Sequence, residues 1–202
     1  MSLAETLRAA LERGHRGRPE LLAGDVLEGE APDEGIAPAA VLVAIVERAE
    51  PGVLLTVRPD TMRKHPGQIS FPGGRVDPGD EDAVAAALRE AQEEIGLPPE
   101  RVEVIGIADR YVTVTGFEVT PVVAIVPPDL PLTPHPGEVA ALFEAPLHYL
   151  LGSAHQKERS AMWRGRERHY YEIEWEGRRI WGATAAMIVN LSRRLAITGE
   201  GL

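Results

Sequence analysis

The hydrophobic positions of this chain follow two rhythms, one of helices and one of strands. Near the start, "SLAETLRAALERG" (2–14) places Leu3, Leu7 and Leu11 four residues apart, along one side of a helix. Ser2 and Glu5 form a capping box at its head, and Gly14 is placed to end it. Residues 17–36, rich in proline, glycine and acids, read as a loop. The rhythm then changes. "AAVLVAIVE" (39–47) is a continuous, largely β-branched run, and "VLLTVR" (53–58) follows across Glu50-Pro51-Gly52. Together they predict a buried hairpin. "VEVIGIAD" (102–109) and "FEVTPVVAIV" (117–126) predict further strands, with Pro121 marking an edge or a bulge. After the proline-rich loop 127–137, "EVAALFEAPLHYLL" (138–151) begins as a short helix or turn. "RHYYEIEWEGRRIWG" (168–182) alternates about Glu176-Gly177 as a second hairpin, and 184–197 has helical spacing through Met187, Leu191 and Leu195. Mixed strands with two or three helices predict an α/β (α+β) layered domain.

One segment stands apart from these rhythms. Residues 81–95 are good helix formers, with Asp80 placed to cap them and Gly96 and Pro98-Pro99 to stop them. At 100° per residue, Val84, Leu88, Ala91 and Ile95 make a narrow core stripe. Glu90, Glu93 and Glu94 fall together on another side, below Ala83, Ala86 and Ala87. Like charges at this spacing repel unless something positive sits among them. Carboxylates beside small residues offer oxygen ligands and room for a hard cation such as Mg²⁺, shared with substrate phosphates. The alternative is a solvated acidic face. Arg89, inside the cluster, is suited to orient one carboxylate through a fork-shaped pair.

Composition narrows the classes. The chain has 202 residues, enough for one domain with a terminal addition, divided as an extension over 1–37 and a main domain over 38–198. The net charge of -10 disfavours nucleic acid and acidic membranes, though not a small anion, since Arg58, Arg63 and Lys64 lie close together. The longest apolar run, Ala39 to Val46, is too short to cross a bilayer, and the N-terminus lacks the layout of a signal peptide. Cysteine is absent, which excludes thiol catalysis and agrees with a cytoplasmic location. Trp163, Tyr170, Tyr171, Trp175 and Trp181 gather late in the chain, where core packing or a subunit contact, as in a homodimer, explains them better than a ligand.

"GGRVDPGDEDAVAAALREAQEEIGL" (73–97) resembles the Nudix box, G-x5-E-x7-R-E-U-x-E-E-x-G-U, through Gly74, Glu81, Arg89, Glu90, Glu93, Glu94, Gly96 and Leu97. Six residues rather than five separate Gly74 from Glu81, and Ala91 is small for the aliphatic slot. "LLTVRPDTMRKHPGQISFPGG" (54–74) is similar to the signature of the coenzyme A pyrophosphatase branch of Nudix hydrolases. It matches at Leu54, Leu55, Thr56, Arg58, Arg63, Gly67, Phe71, Pro72, Gly73 and Gly74, with Pro59 where the branch has Ser or Ala. That branch tends to carry the extra box residue.

The resemblance implies a Nudix fold, a mixed β-sheet sandwiched between helices. It implies hydrolysis of the diphosphate of coenzyme A or its derivatives, with Mg²⁺ or Mn²⁺. Glu90, Glu93 and Glu94 are the implied metal ligands, joined by the backbone carbonyl of Gly73 or Gly74. The general base is implied to be Glu93 or a glutamate of a later loop, for which Glu138 stands best placed, unless it caps a following helix. Arg58, Arg63 and Lys64 would hold phosphates, and Phe71 and Gly74 would line the substrate site. His65 and His135 flank these loops and read as loop histidines. A broader dinucleotide pyrophosphatase and a non-catalytic binding module are the alternatives.

Overall fold

Strand β1 (Ala37–Val46) is the spine of the structure, a computed structural model that describes residues 2–25, 35–61, 66–163 and 165–195. Its side chains alternate between two cores. Val43 and Ile45 join one, and Leu42, Ala44 and Val46 the other, so an unbroken apolar run is what this strand requires. The predicted hairpin to β2 (Gly52–Val57) is present but short. The two strands pair only at Ile45↔Val53 and Val46↔Gly52. Beyond that point they part. β3 (Ile69–Ser70) then pairs with Thr56 and Val57, while β4 (Gly73–Arg75) pairs with Ala39–Val41. This wedge sets Gly73 and Gly74 directly beside β1.

β7 (Phe117–Val126) runs parallel to β1 over ten paired residues. Pro121 therefore lies in a central strand, not at an edge or in a bulge. It is tolerated because β6 (Tyr111–Val112) pairs with β7 as far as Val119, and β5 (Glu103–Ile107) from Val122 onward. Pro121 occupies the break between them, where its missing N–H leaves no partner unsatisfied. The last strand of this eight-stranded sheet, β8 (Ala141–Pro146), pairs with all of β2. The short helix or turn expected to begin 138–151 is a turn over 136–138, with a strand next and then α3 (Leu147–Leu151). An open edge on β2 outweighs the helix propensity of Ala140 and Ala141.

The helices cover both faces, as expected. α1 (Leu3–Arg16), α3 and α4 (Ala183–Leu195) fill one core, and α2 (Ala83–Ile95) the other. The Ser2–Glu5 capping box is formed. Gly14 does not end α1, which runs to Arg16. A Cβ on Gly14 would lie 1.9 Å from the Arg194 carbonyl oxygen, so this glycine serves the close approach of α4. A second sheet holds β9 (Lys157–Trp163), β10 (Arg166–Trp175) and β11 (Arg178–Trp181). The β10–β11 hairpin turns at Glu176-Gly177 as predicted, both with positive φ. Tyr171 and Trp175 pack against the first core, whereas Tyr170 and Trp181 meet edge to face on the outer surface. The side chain of Trp163 lies outside the described residues.

Candidate metal and active site

The acidic helix begins two residues later than the sequence suggests. Asp82, not Asp80, caps it, accepting from the Ala85 N–H at 2.8 Å. Its buried arc is Ala86, Ala87, Ala91, Glu94 and Ile95, while Val84 and Leu88 are half-buried. The alanines therefore do not stand open above the carboxylates. They are pressed on the sheet, because the helix lies close over β1 and β4, where larger side chains would push it away.

Asp80 has another role. It grips Arg89 with both oxygens, at 2.9 Å to Nε and 2.9 Å to the second terminal nitrogen. Arg89 also donates to the Arg75 carbonyl (3.1 Å), Glu90 (3.0 Å) and Glu93 (3.1 Å). The fork-shaped pair foreseen for Arg89 thus falls on Asp80, and the glutamates receive single bonds. Five residues separate Gly74 from Asp80, the box spacing, while Glu81 keeps the box distance to Arg89 and is exposed. The signal for Asp80 was this spacing from the glycine.

Glu94 points inward. Its side chain accepts from the Gly73 N–H at 3.1 Å, and the residue is only 6% exposed. Burial pushes its carboxyl up to about 7, more than the Gly73 bond offsets. The negative charges of Glu90 and Glu138 add to the rise, and Arg58 opposes it. Burial likewise raises Glu90, against the pull of Arg89. A Cβ on Gly74 would stand 2.5 Å from the Glu90 carboxyl carbon, and one on Gly73 would stand 2.3 Å from the Ala40 carbonyl oxygen. Both glycines make room, one for a carboxylate and one for a strand.

Glu138 arrives on a loop tied to the end of α2. Thr133 N–H donates to the Ile95 carbonyl (2.9 Å) and His135 N–H to the Glu94 carbonyl (2.7 Å). This tie, which the sequence did not suggest, brings the Glu138 charge close enough to raise both Glu90 and Glu94. A strand and not a helix follows, so Glu138 is not a helix cap. His135 Nδ1 lies 3.9 Å from Glu138.

Arg58 enters from the end of β2, its charge set against Glu94 and its Nε buried without a hydrogen-bond partner. Phe71, expected against substrate, is instead 2% exposed in the first core, where it anchors the glycine segment. Arg63, Lys64 and His65 lie outside the described residues.

The donor set is hard oxygen: three glutamates of one helix, a fourth from a loop, and backbone at two glycines. In the described conformation no three acidic or histidine side chains, among the described residues, converge on one point. Glu90 and Glu93 are turned to Arg89 instead. Buried Glu94 and half-buried Glu90, both raised by burial and by neighbouring negative charge, are nevertheless the electrostatic setting that a divalent cation relieves. The residues fit such an ion once Glu90 and Glu93 turn from Arg89.

The chain matches the family model for the NUDIX domain over residues 36–164. It is 48% identical over 157 residues to a protein of Cronobacter sakazakii described as uncharacterized Nudix hydrolase NudL, covering 78% of this chain and 82% of that one. The NudL of Escherichia coli K12 is 47% identical over 162 residues, 79% of this chain and 83% of the relative. A Nudix hydrolase structure from M. smegmatis, RenU, is 27% identical with a TM-score of 0.48, covering 56% of this chain and 72% of that chain. Among the described residues no helix is long and apolar enough to cross a membrane.

Proposed function

The chain belongs to the NUDIX family, hydrolases of phosphoanhydride bonds, and from that premise we propose that it cleaves the diphosphate of coenzyme A or its derivatives. The products are 3',5'-ADP and a 4'-phosphopantetheine species. The observation that carries this is Arg58. The signature residue Arg58 sets its charge against Glu94 at the glycine segment, with a buried Nε still lacking an acceptor. A phosphate oxygen supplies one.

Glu90, Glu93 and Glu94 would hold Mg²⁺ or Mn²⁺, with the Gly73 carbonyl as a further ligand. When bound, such an ion neutralises charge on the diphosphate and makes water a better nucleophile. The remaining roles belong to the chain. Arg58 holds a phosphate oxygen. Arg89, fixed by Asp80, positions Glu90 and Glu93. Glu138 takes the proton of the attacking water at its carboxylate, and Glu93 is the second candidate for that step. Water adds to one phosphorus, and the bond from that phosphorus to the bridging oxygen breaks. The extra phosphate of coenzyme A is a reason for further cations, a part we assign to Arg63 and Lys64.

Coenzyme A, its form without the 3'-phosphate, ADP-ribose and NADH are compared as substrates with Mg²⁺ and Mn²⁺, in ¹⁸O-labelled water. Preference for coenzyme A, lost with the 3'-phosphate, is expected. Equal turnover of all four points to a broader dinucleotide pyrophosphatase. No turnover of any of them, with ligand binding retained, points to a binding module.

A further inference from the structure

Among the described residues, the sheet edges are guarded to different degrees, and β9 least. β8 is six residues long and ends in Pro146. β5 carries a register shift between Val104 and Gly106. β11 has four residues and abuts β3. These are common devices against edge-to-edge association. β9 has neither proline nor bulge, and its guard is confined to the charged half Lys157–Arg159. It pairs with β10 without interruption from Lys157↔Glu172 to Trp163↔Arg166, and among the described residues no strand pairs with its other side. Every residue from Lys157 to Met162 is exposed, so neither face of this strand is covered. Met162 is 70% exposed, the most of any large hydrophobic among the described residues. A strand uncovered on both faces gains little from folding alone.

Its charges are arranged in one half. Lys157, Glu158 and Arg159 come first, and Ser160, Ala161 and Met162 follow. The charged side chains lean across their own hairpin, Lys157 to Glu174 (3.9 Å), Glu158 to His169 (3.4 Å) and Arg159 to Glu172 (3.5 Å). These pairs draw the charges toward β10.

We propose that β9 pairs with β9 of a second copy of this chain, antiparallel about a two-fold axis at Ser160. The two three-stranded sheets then join into one of six. Charge selects this occupant. In that register Glu158 faces Met162 and Arg159 faces Ala161, so each charged half lies against an uncharged half. No like charges meet directly. A parallel register would set Lys157, Glu158 and Arg159 against their own copies. The pairing is isologous, as a closed two-fold dimer requires. Two strands of seven residues make a small interface, so association is weak and follows concentration.

The chain has no cysteine, so Ser160→Cys introduces a single thiol. Under mild oxidation it is expected to cross-link much faster than Ser153→Cys, an exposed control outside the sheet. In sedimentation equilibrium the wild type should approach twice 21.9 kDa as concentration rises. Met162→Glu sets carboxylates opposite one another and should weaken the dimer at least about tenfold. Adding Glu158→Lys to it should restore association. A wild type that stays monomeric to millimolar concentration overturns the proposal. So does a dimer indifferent to Met162→Glu, or equal cross-linking of the two cysteine variants. None of these outcomes depends on the substrate.

Discussion

Asp80 holds Arg89 through both carboxylate oxygens, each at 2.9 Å, and Arg89 in turn touches Glu90 and Glu93. The aspartate precedes the helix and has only 6% of its side chain exposed. It fixes the arginine from outside the helix, which leaves one terminal nitrogen for the two glutamates. Asp80→Asn keeps the shape and removes the charge. With Glu90 and Glu93 as the proposed metal ligands, turnover is expected to fall about tenfold to a hundredfold, with helix content unchanged. Steady-state rates and circular dichroism check this.

The paired glycines should fail in different ways. At Gly74 a methyl group meets the Glu90 carboxylate, the mobile end of a side chain. Gly74→Ala should therefore fold and lose most of its activity. At Gly73 the methyl meets the Ala40 carbonyl of β1, and φ is 155°. Gly73→Ala should cost about 1–3 kcal/mol of stability. Chemical denaturation of both variants, beside their rates, separates the two outcomes.

Glu94 makes the metal-free protein sensitive to pH. Burial pushes its folded carboxyl up to about 7, from an ordinary glutamate value of 4.5. A raised acid favours the protonated form, so the native state bears no penalty below pH 4.5. The penalty grows as pH rises from 4.5 to 7 and is complete above that, at roughly 3 kcal/mol. In chelator, Glu94→Gln should therefore gain stability over the wild type at pH 8 and little at pH 4. Denaturant midpoints at both values test this, and a gain equal at the two would contradict it.

In the proposed mechanism Glu138 and Glu93 are the two candidates for the base. With Glu138 as base, Glu138→Gln should lower kcat about a hundredfold or more while leaving KM and metal affinity near wild type. Glu93→Gln should weaken metal binding as well. Calorimetric titration with Mn²⁺, alongside kcat and KM, distinguishes them.

Arg58 offers a fifth handle. Arg58→Met keeps the apolar stem and removes the charge that faces Glu94. KM for coenzyme A should rise about tenfold. An unchanged KM would assign Arg58 to the framework.

Local chemistry made much of this protein legible in its sequence. The Ser2–Glu5 box, the run at 39–46, the Glu176-Gly177 turn and the α2 glutamates each depend on neighbours a few residues away. Backbone sterics and side-chain periodicity act at that range, so a string of residues is sufficient to specify them. What lay beyond that range was decided by tertiary structure. β8 is a strand because β2 had an open edge 84 to 94 residues earlier. Pro121 sits in a central strand because two short partners part around it. Phe71 became core and Asp80 the partner of Arg89 because the wedge of β3 and β4 fixes where each can point. Loop 133–138 meets α2 through backbone bonds that any residue can make, and so leaves no mark in the sequence. Side-chain identity records what a residue can do; which group it meets is set by the space the rest of the chain leaves.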